Sequence, residues 1–81
     1  MKKLLYFSSK TCAPCKAFKP IMQRIAYTIP VEFIDTDLQP ELTTKYNVRS
    51  IPTVVLVSGS VELKRFVGVK NEGAVQDFFY N

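Results

Sequence analysis

The sequence predicts an α/β fold, a four-stranded mixed β-sheet flanked by three helices in the order β-α-β-α-β-β-α, with residues 1–81 forming one domain. Three observations predict it. The apolar run Leu4-Leu5-Tyr6-Phe7 is followed by a helical apolar pattern and then by a second strand-like run, Val31 to Asp35. Two strands joined by a helical crossover lie parallel. The β-branched segment Thr53 to Val57 is followed by the tight turn Ser58-Gly59-Ser60 and a returning strand, Val61 to Val67, which makes an antiparallel hairpin. Finally, a chain of 81 residues buries only roughly 60–65% of its unfolded surface, enough for one modest core and no second module.

Taken in order, Lys3 to Ser8 reads as a buried strand because its apolar residues are continuous rather than alternating. Ser8 to Thr11 is a polar loop. A helix follows from Ala13 to Tyr27, with Pro14 in its first turn, where the missing N–H has no intrahelical partner to lose. Phe18, Ile21, Met22 and Ile25 recur at i, i+3, i+4 and i+7 and form one apolar face, with Lys16, Lys19, Gln23 and Arg24 opposite. Pro20 falls inside this pattern and predicts a kinked helix rather than two helices. Val31 to Asp35 is the second strand, and Asp37 to Pro40 a turn. Pro40 to Tyr46 is a short helix, ended by Asn47 in the left-handed conformation. Arg49 to Pro52 is a loop leading into the hairpin, and Gly68 breaks its second strand. Asn71 caps a last helix whose apolar face is Val75, Phe78 and Phe79. The first strand is placed centrally in the sheet. Its C-terminal end delivers the following loop to the edge where reaction sites of such sheets lie.

Apolar residues make up 47% of the chain and charged residues 22%, an ordinary globular balance. The formal charge of +4 arises from 11 basic and 7 acidic residues. The basic residues are scattered, with no run longer than two, which argues against a nucleic-acid surface. Met1-Lys2-Lys3 precedes an apolar run of only four residues, whereas a secretion signal needs roughly 7–15. No stretch is long enough to span a membrane. These points place the protein in the cytoplasm, where paired cysteines are catalytic more often than structural.

The only two cysteines are Cys12 and Cys15, in Ser8-Ser9-Lys10-Thr11-Cys12-Ala13-Pro14-Cys15-Lys16. At the first turn of a helix, two cysteines at this spacing sit close enough to join in one small disulfide ring. The unpaired N–H groups and the positive end of the helix dipole favour thiolate over thiol there. Thiolate is the species that attacks disulfides. Lys10, Lys16 and Lys19 add positive charge nearby, and Lys10 and Lys16 are candidates for tuning the thiol pKa. Two other readings stand beside this one. The first is a purely structural pair, although so short a loop adds little stability. The second is a metal or cluster shared between two chains, since one chain without histidine cannot supply four N/S ligands.

The chain resembles the thioredoxin/glutaredoxin superfamily, in particular its compact members, over nearly its whole length. Cys12-Ala13-Pro14-Cys15-Lys16 looks like the thioredoxin motif, which usually has Gly where Ala13 stands. Pro20 matches the family's helix proline, and Tyr46-Asn47-Val48-Arg49-Ser50-Ile51-Pro52-Thr53 is similar to the loop carrying its cis-proline. Gly68 matches the glycine that lets substrate approach. The resemblance implies a thioredoxin-like fold and a dithiol–disulfide oxidoreductase acting on protein disulfides. Cys12 is then the exposed nucleophile and Cys15 the resolving thiol. Ala13, Pro14, Ile51, Pro52, Gly68 and Val69 form a small apolar docking surface, and the Ile51 backbone pairs with an extended substrate segment. It implies no bound cofactor or metal. The redox-active pair Cys12–Cys15 is re-reduced by a thioredoxin reductase or by glutathione, and the protein works as a monomer on protein disulfide partners.

The departures from the family pattern are specific. Tyr6 stands where thioredoxins bury an acid beneath the second cysteine, and Phe33 where they place a lysine near it. Water, the Tyr6 hydroxyl or the leaving thiolate is then left to take the Cys15 proton. Ser8 and Ser9 stand where thioredoxins have a tryptophan, in position for their hydroxyls to hydrogen-bond the thiolate. A glutaredoxin-like, glutathione-dependent enzyme is the competing reading. Against it, Ile51 precedes Pro52, and Gly68-Val69-Lys70-Asn71 lacks the second glycine and the acids that hold glutathione. A non-catalytic binding subunit on the same scaffold is the alternative from a different class.

Overall fold

In the computed structural model, which describes residues 1–81, the apolar run near the N-terminus becomes β1 (Lys2–Ser8), with Leu4 to Phe7 buried on both faces. It is followed by α1 (Ala13–Ile25), β2 (Val31–Asp35), α2 (Pro40–Lys45), β3 (Thr53–Ser58), β4 (Val61–Val67) and α3 (Glu72–Tyr80). The sheet order is β2-β1-β3-β4. β1 pairs parallel with β2, with Leu4 opposite Val31 and Ser8 opposite Asp35. It pairs antiparallel with β3, and β3 pairs antiparallel with β4. The β1 side chains alternate between two cores. Leu4 and Tyr6 join Phe18, Met22, Ile25, Ile29, Val54, Leu56, Val75 and Phe79 beneath α1 and α3. Leu5 and Phe7 join Ile34, Val55 and Val57, with Leu42, Tyr46, Val48 and Ile51 closing over them from the α2 side.

Local stereochemistry accounts for the ends of the elements. Asn71 accepts the Ala74 N–H at 2.8 Å and caps α3. Asn47, with φ of 53°, occupies the left-handed position after α2. α1 runs through Pro20 as one helix. It ends at Ile25, earlier than the predicted Tyr27, because the Ile25 carbonyl accepts both the Thr28 and Ile29 N–H groups, at 3.1 and 2.9 Å. That tight turn swings Ile29 into the core and leaves Tyr27 in solvent. Arg24 and Glu72 pair at 2.9 Å between α1 and α3. The start of β1 is tied to the end of α3, since Lys2 Nζ donates to the Phe79 carbonyl at 3.1 Å and lies over the Phe79 ring.

Candidate active site

Cys12 is the N-cap of α1, in an extended conformation. Its N–H donates to the Ser9 carbonyl, and its own carbonyl accepts from Lys16 N–H, both at 3.2 Å. The Cys15 N–H donates to Cys12 Sγ at 3.2 Å, so one orphan donor of the helix terminus is aimed at sulfur. Cys12 is partly exposed, whereas Cys15 is 2% exposed. The two are joined in a disulfide across a Cα–Cα distance of 5.2 Å. One sulfur therefore faces solvent and the other lies directly behind it.

The loop before Cys12 is fastened to the β2 side. Ser9 Oγ donates to Asp37 Oδ2 at 3.1 Å and accepts the Thr11 N–H at 3.3 Å, while the Ser8 carbonyl accepts Thr36 N–H at 2.9 Å. This corrects the expectation for Ser9. Its hydroxyl is committed to Asp37 and the loop backbone rather than to sulfur. Asp37, read from sequence as a simple turn residue, is the anchor.

On the β3 side the Ile51–Pro52 peptide bond is cis, and the Ile51 carbonyl oxygen lies 3.8 Å from Cys12 Sγ. The Gly68 N–H donates to the Pro52 carbonyl at 2.9 Å. The Thr53–Val67 pairing and this bond thus hold Gly68 against Pro52, next to the Ile51 carbonyl that faces Cys12, and Val69 follows, exposed. Gly68 has φ of 99°, a conformation that L side chains rarely adopt. Ala13 and Pro14 are exposed in the first turn of α1.

A cleft of about 300 Å³ opens on the other side of β1. Lys10 from the loop, Cys15, Lys16 and Lys19 from α1, and Phe33 and Asp35 from β2 line it. Lys10 and Lys16 thus share a cavity with Cys15. Below, Tyr6 is fully buried and packs edge-on against Phe33 at 5.7 Å and Phe18 at 5.6 Å. Its hydroxyl donates to the Cys15 carbonyl at 2.8 Å. Burial raises the Tyr6 pKa above its ordinary value. A hydroxyl that is already donating, and is harder than usual to ionise, is no base for Cys15, so of the three proton acceptors named from sequence Tyr6 is excluded. Instead it ties the first turn of α1 to the central strand.

Tyr6→Phe keeps the ring and removes that tie, at an expected cost of about 1 kcal/mol. The raised pKa sets the sign at alkaline pH. The folded state holds the phenolic proton more tightly than the unfolded state, so this contribution is complete below about pH 10 and is lost as pH rises through the folded pKa. Urea melts of the two proteins between pH 7 and 11 check this. The stability difference narrows at the alkaline end.

The geometry is that of a partly exposed sulfur, a buried partner and, beside them, the Ile51 carbonyl that precedes the cis-proline, on a four-stranded mixed sheet. The family model described as thioredoxin matches residues 1–81. The chain belongs to the thioredoxin family. It is 32% identical over 75 residues to a thioredoxin of Chlamydia trachomatis, covering 89% of this chain and 74% of that one. It is 36% identical over 76 residues to a bifunctional thioredoxin reductase/thioredoxin of Mycobacterium leprae, covering 89% of this chain but only 17% of that protein's length. Among solved structures, a variant thioredoxin from Halobacterium salinarum superposes with a TM-score of 0.89 at 30% identity, covering 96% of this chain and 71% of that one. The chain is a thiol–disulfide oxidoreductase of this family with a Cys12–Cys15 redox disulfide, a reading that fits the matches better than the glutathione-dependent alternative.

Proposed function

We propose that this thioredoxin-family protein works as a reductant of protein disulfides, with Cys12 as nucleophile and Cys15 as resolving thiol. The observation that carries the proposal is the Cys15 N–H directed at a partly exposed Cys12 Sγ at the start of α1, with Cys15 Sγ buried behind. In the reduced protein that N–H and the helix terminus favour the Cys12 thiolate, and Lys10 and Lys16 add to the positive field. The thiolate attacks one sulfur of a substrate disulfide, forming a mixed disulfide and releasing the other sulfur as a thiolate. Cys15, deprotonated, attacks Cys12 Sγ and releases the second substrate sulfur. Two electrons pass to the substrate and the Cys12–Cys15 disulfide remains.

Ala13, Pro14, Ile51, Pro52, Gly68 and Val69 receive the substrate. The Ile51 backbone offers an edge for an extended segment, and Gly68 leaves room for its side chains. We assign re-reduction to a thioredoxin reductase, a pairing that the fused Mycobacterium leprae relative favours over glutathione. No helix is long and apolar enough to cross a membrane. We place the protein in the cytoplasm, acting as a monomer.

The test is NADPH-coupled reduction of insulin. With a thioredoxin reductase, turnover is expected to exceed that with glutathione and glutathione reductase by at least about tenfold. Equal or faster turnover through glutathione overturns the assigned reductant, and no insulin reduction from pre-reduced protein overturns the function.

A further inference from the structure

The chain has eight lysines, and five of them have partners. Lys3 pairs with Glu32 at 2.8 Å. Lys2, Lys45, Lys64 and Lys70 lie over the rings of Phe79, Tyr46, Phe78 and Phe66. The three that make neither an ion pair nor a ring contact are Lys10, Lys16 and Lys19, and all three line the cleft beside Cys15. Lys16 and Lys19 are neighbours at i,i+3 on α1, and Lys10 approaches from the loop. All three are exposed. The one carboxylate lining the cleft is Asp35, whose Oδ1 already accepts the Asp37 N–H at 2.8 Å. Phe33, 40% exposed, supplies an apolar wall.

Position completes the argument. β1 lies between β2 and β3 in the sheet. The cleft sits at the carboxyl ends of the parallel strands β1 and β2, the crevice where ligands of such sheets bind. Ile51 and Pro52 lie on the β3 side. The reactive disulfide therefore stands between an apolar side, already assigned to substrate, and a cationic one.

We infer that the cleft formed by Lys10, Lys16, Lys19 and Phe33 is a second docking surface that selects disulfide partners carrying an acidic segment next to the reacting cystine. The inference rests on the disulfide-reductase reading and names its substrate class. Carboxylates of the partner lie over the three ammonium groups and an apolar side chain lies against Phe33. Unpaired charges of one sign around a concave site raise the encounter rate of oppositely charged partners.

The experiment compares two peptide disulfides that differ only in having glutamates or glutamines beside the cystine. Rates are measured with pre-reduced protein. The acidic peptide is expected to react roughly tenfold faster at low salt, and the preference to vanish near 1 M salt, where charges are screened within about 3 Å. The ratio of the two rates is the readout because Lys10 and Lys16 also bear on Cys12 ionisation, which changes both rates alike. A Lys10→Gln, Lys16→Gln, Lys19→Gln variant brings the ratio close to one, and Lys19→Gln alone lowers it. A control with Lys2→Gln, Lys45→Gln and Lys64→Gln removes the same charge elsewhere and leaves the ratio in place. A ratio of one in the unmodified protein, a ratio that survives the triple cleft variant, or an equal loss in the control overturns the inference. Failure to reduce either peptide overturns the function as well.

Discussion

Cys12→Ser is expected to reduce disulfide-reductase turnover to background, a loss of roughly 10⁴-fold or more, as when other enzymes lose their nucleophile. Cys12 Sγ is the partly exposed sulfur, it receives the Cys15 N–H, and it lies 3.8 Å from the Ile51 carbonyl, the edge proposed above for a substrate segment. A serine hydroxyl at the same N-cap still caps the helix, so α1 stays in place while the chemistry is lost. Cys15→Ser separates the two roles. Attack by Cys12 proceeds, but nothing displaces the substrate, and a mixed disulfide accumulates that mass spectrometry detects as one substrate per protein. If instead Cys12→Ser accumulates the adduct and Cys15→Ser does not, the roles are reversed. If a double Cys→Ser variant keeps the biological activity, the scaffold acts as a binding subunit.

Phe18→Ala carries the largest expected effect on stability. Phe18 has no solvent exposure and sits where the main core meets the site, against the Tyr6 ring at 5.6 Å and the Phe66 ring at 6.2 Å. Its ring thereby links α1 to the central strand and to the edge strand β4. Removing it costs about 3–5 kcal/mol from lost burial and the cavity left behind. At about 0.05–0.15 kcal/mol per residue, an 81-residue chain has only about 4–12 kcal/mol in all. The urea midpoint of the variant is expected to fall by about a quarter or more, and at the lower end of that range the chain does not fold. Circular dichroism during urea titration measures it. A shift under about 1 kcal/mol would show that Tyr6 and Phe66 close the gap.

These two residues were readable from sequence for different reasons. Phe18 stands in a strict i, i+3, i+4, i+7 pattern, and a period of 3.6 fixes which face of a helix is buried. Cys12 and Cys15 stand at a spacing that has few uses besides redox chemistry in a chain without histidine. Asn47 and Asn71 were equally legible, because a left-handed stop and an N-cap each ask for a particular residue locally, whereas the cis bond before Pro52 followed only from the resemblance of its loop to the thioredoxin one. What escaped the sequence is tertiary. Tyr6 reads as core in an apolar run, and its hydrogen bond to the Cys15 carbonyl exists only once α1 is laid over β1. Ser9 and Asp37 meet across 28 residues through the β1–β2 pairing. Lys10, Lys16 and Lys19 were visible as a cluster, but their lack of partners emerged only when the other lysines had found rings and carboxylates. The end of α1 was misplaced because the turn that buries Ile29 outweighs two more helical residues.

The clasp between Lys2 and Phe79 has a consequence for architecture. It brings the first strand's beginning and the last helix's end to one pole of the molecule, while the sulfurs lie past the opposite end of β1, about 20 Å along the strand. Polypeptide grafted onto either extremity departs from the pole remote from the chemistry. Such a module can be carried as cargo by a larger protein with its reactive tip still free.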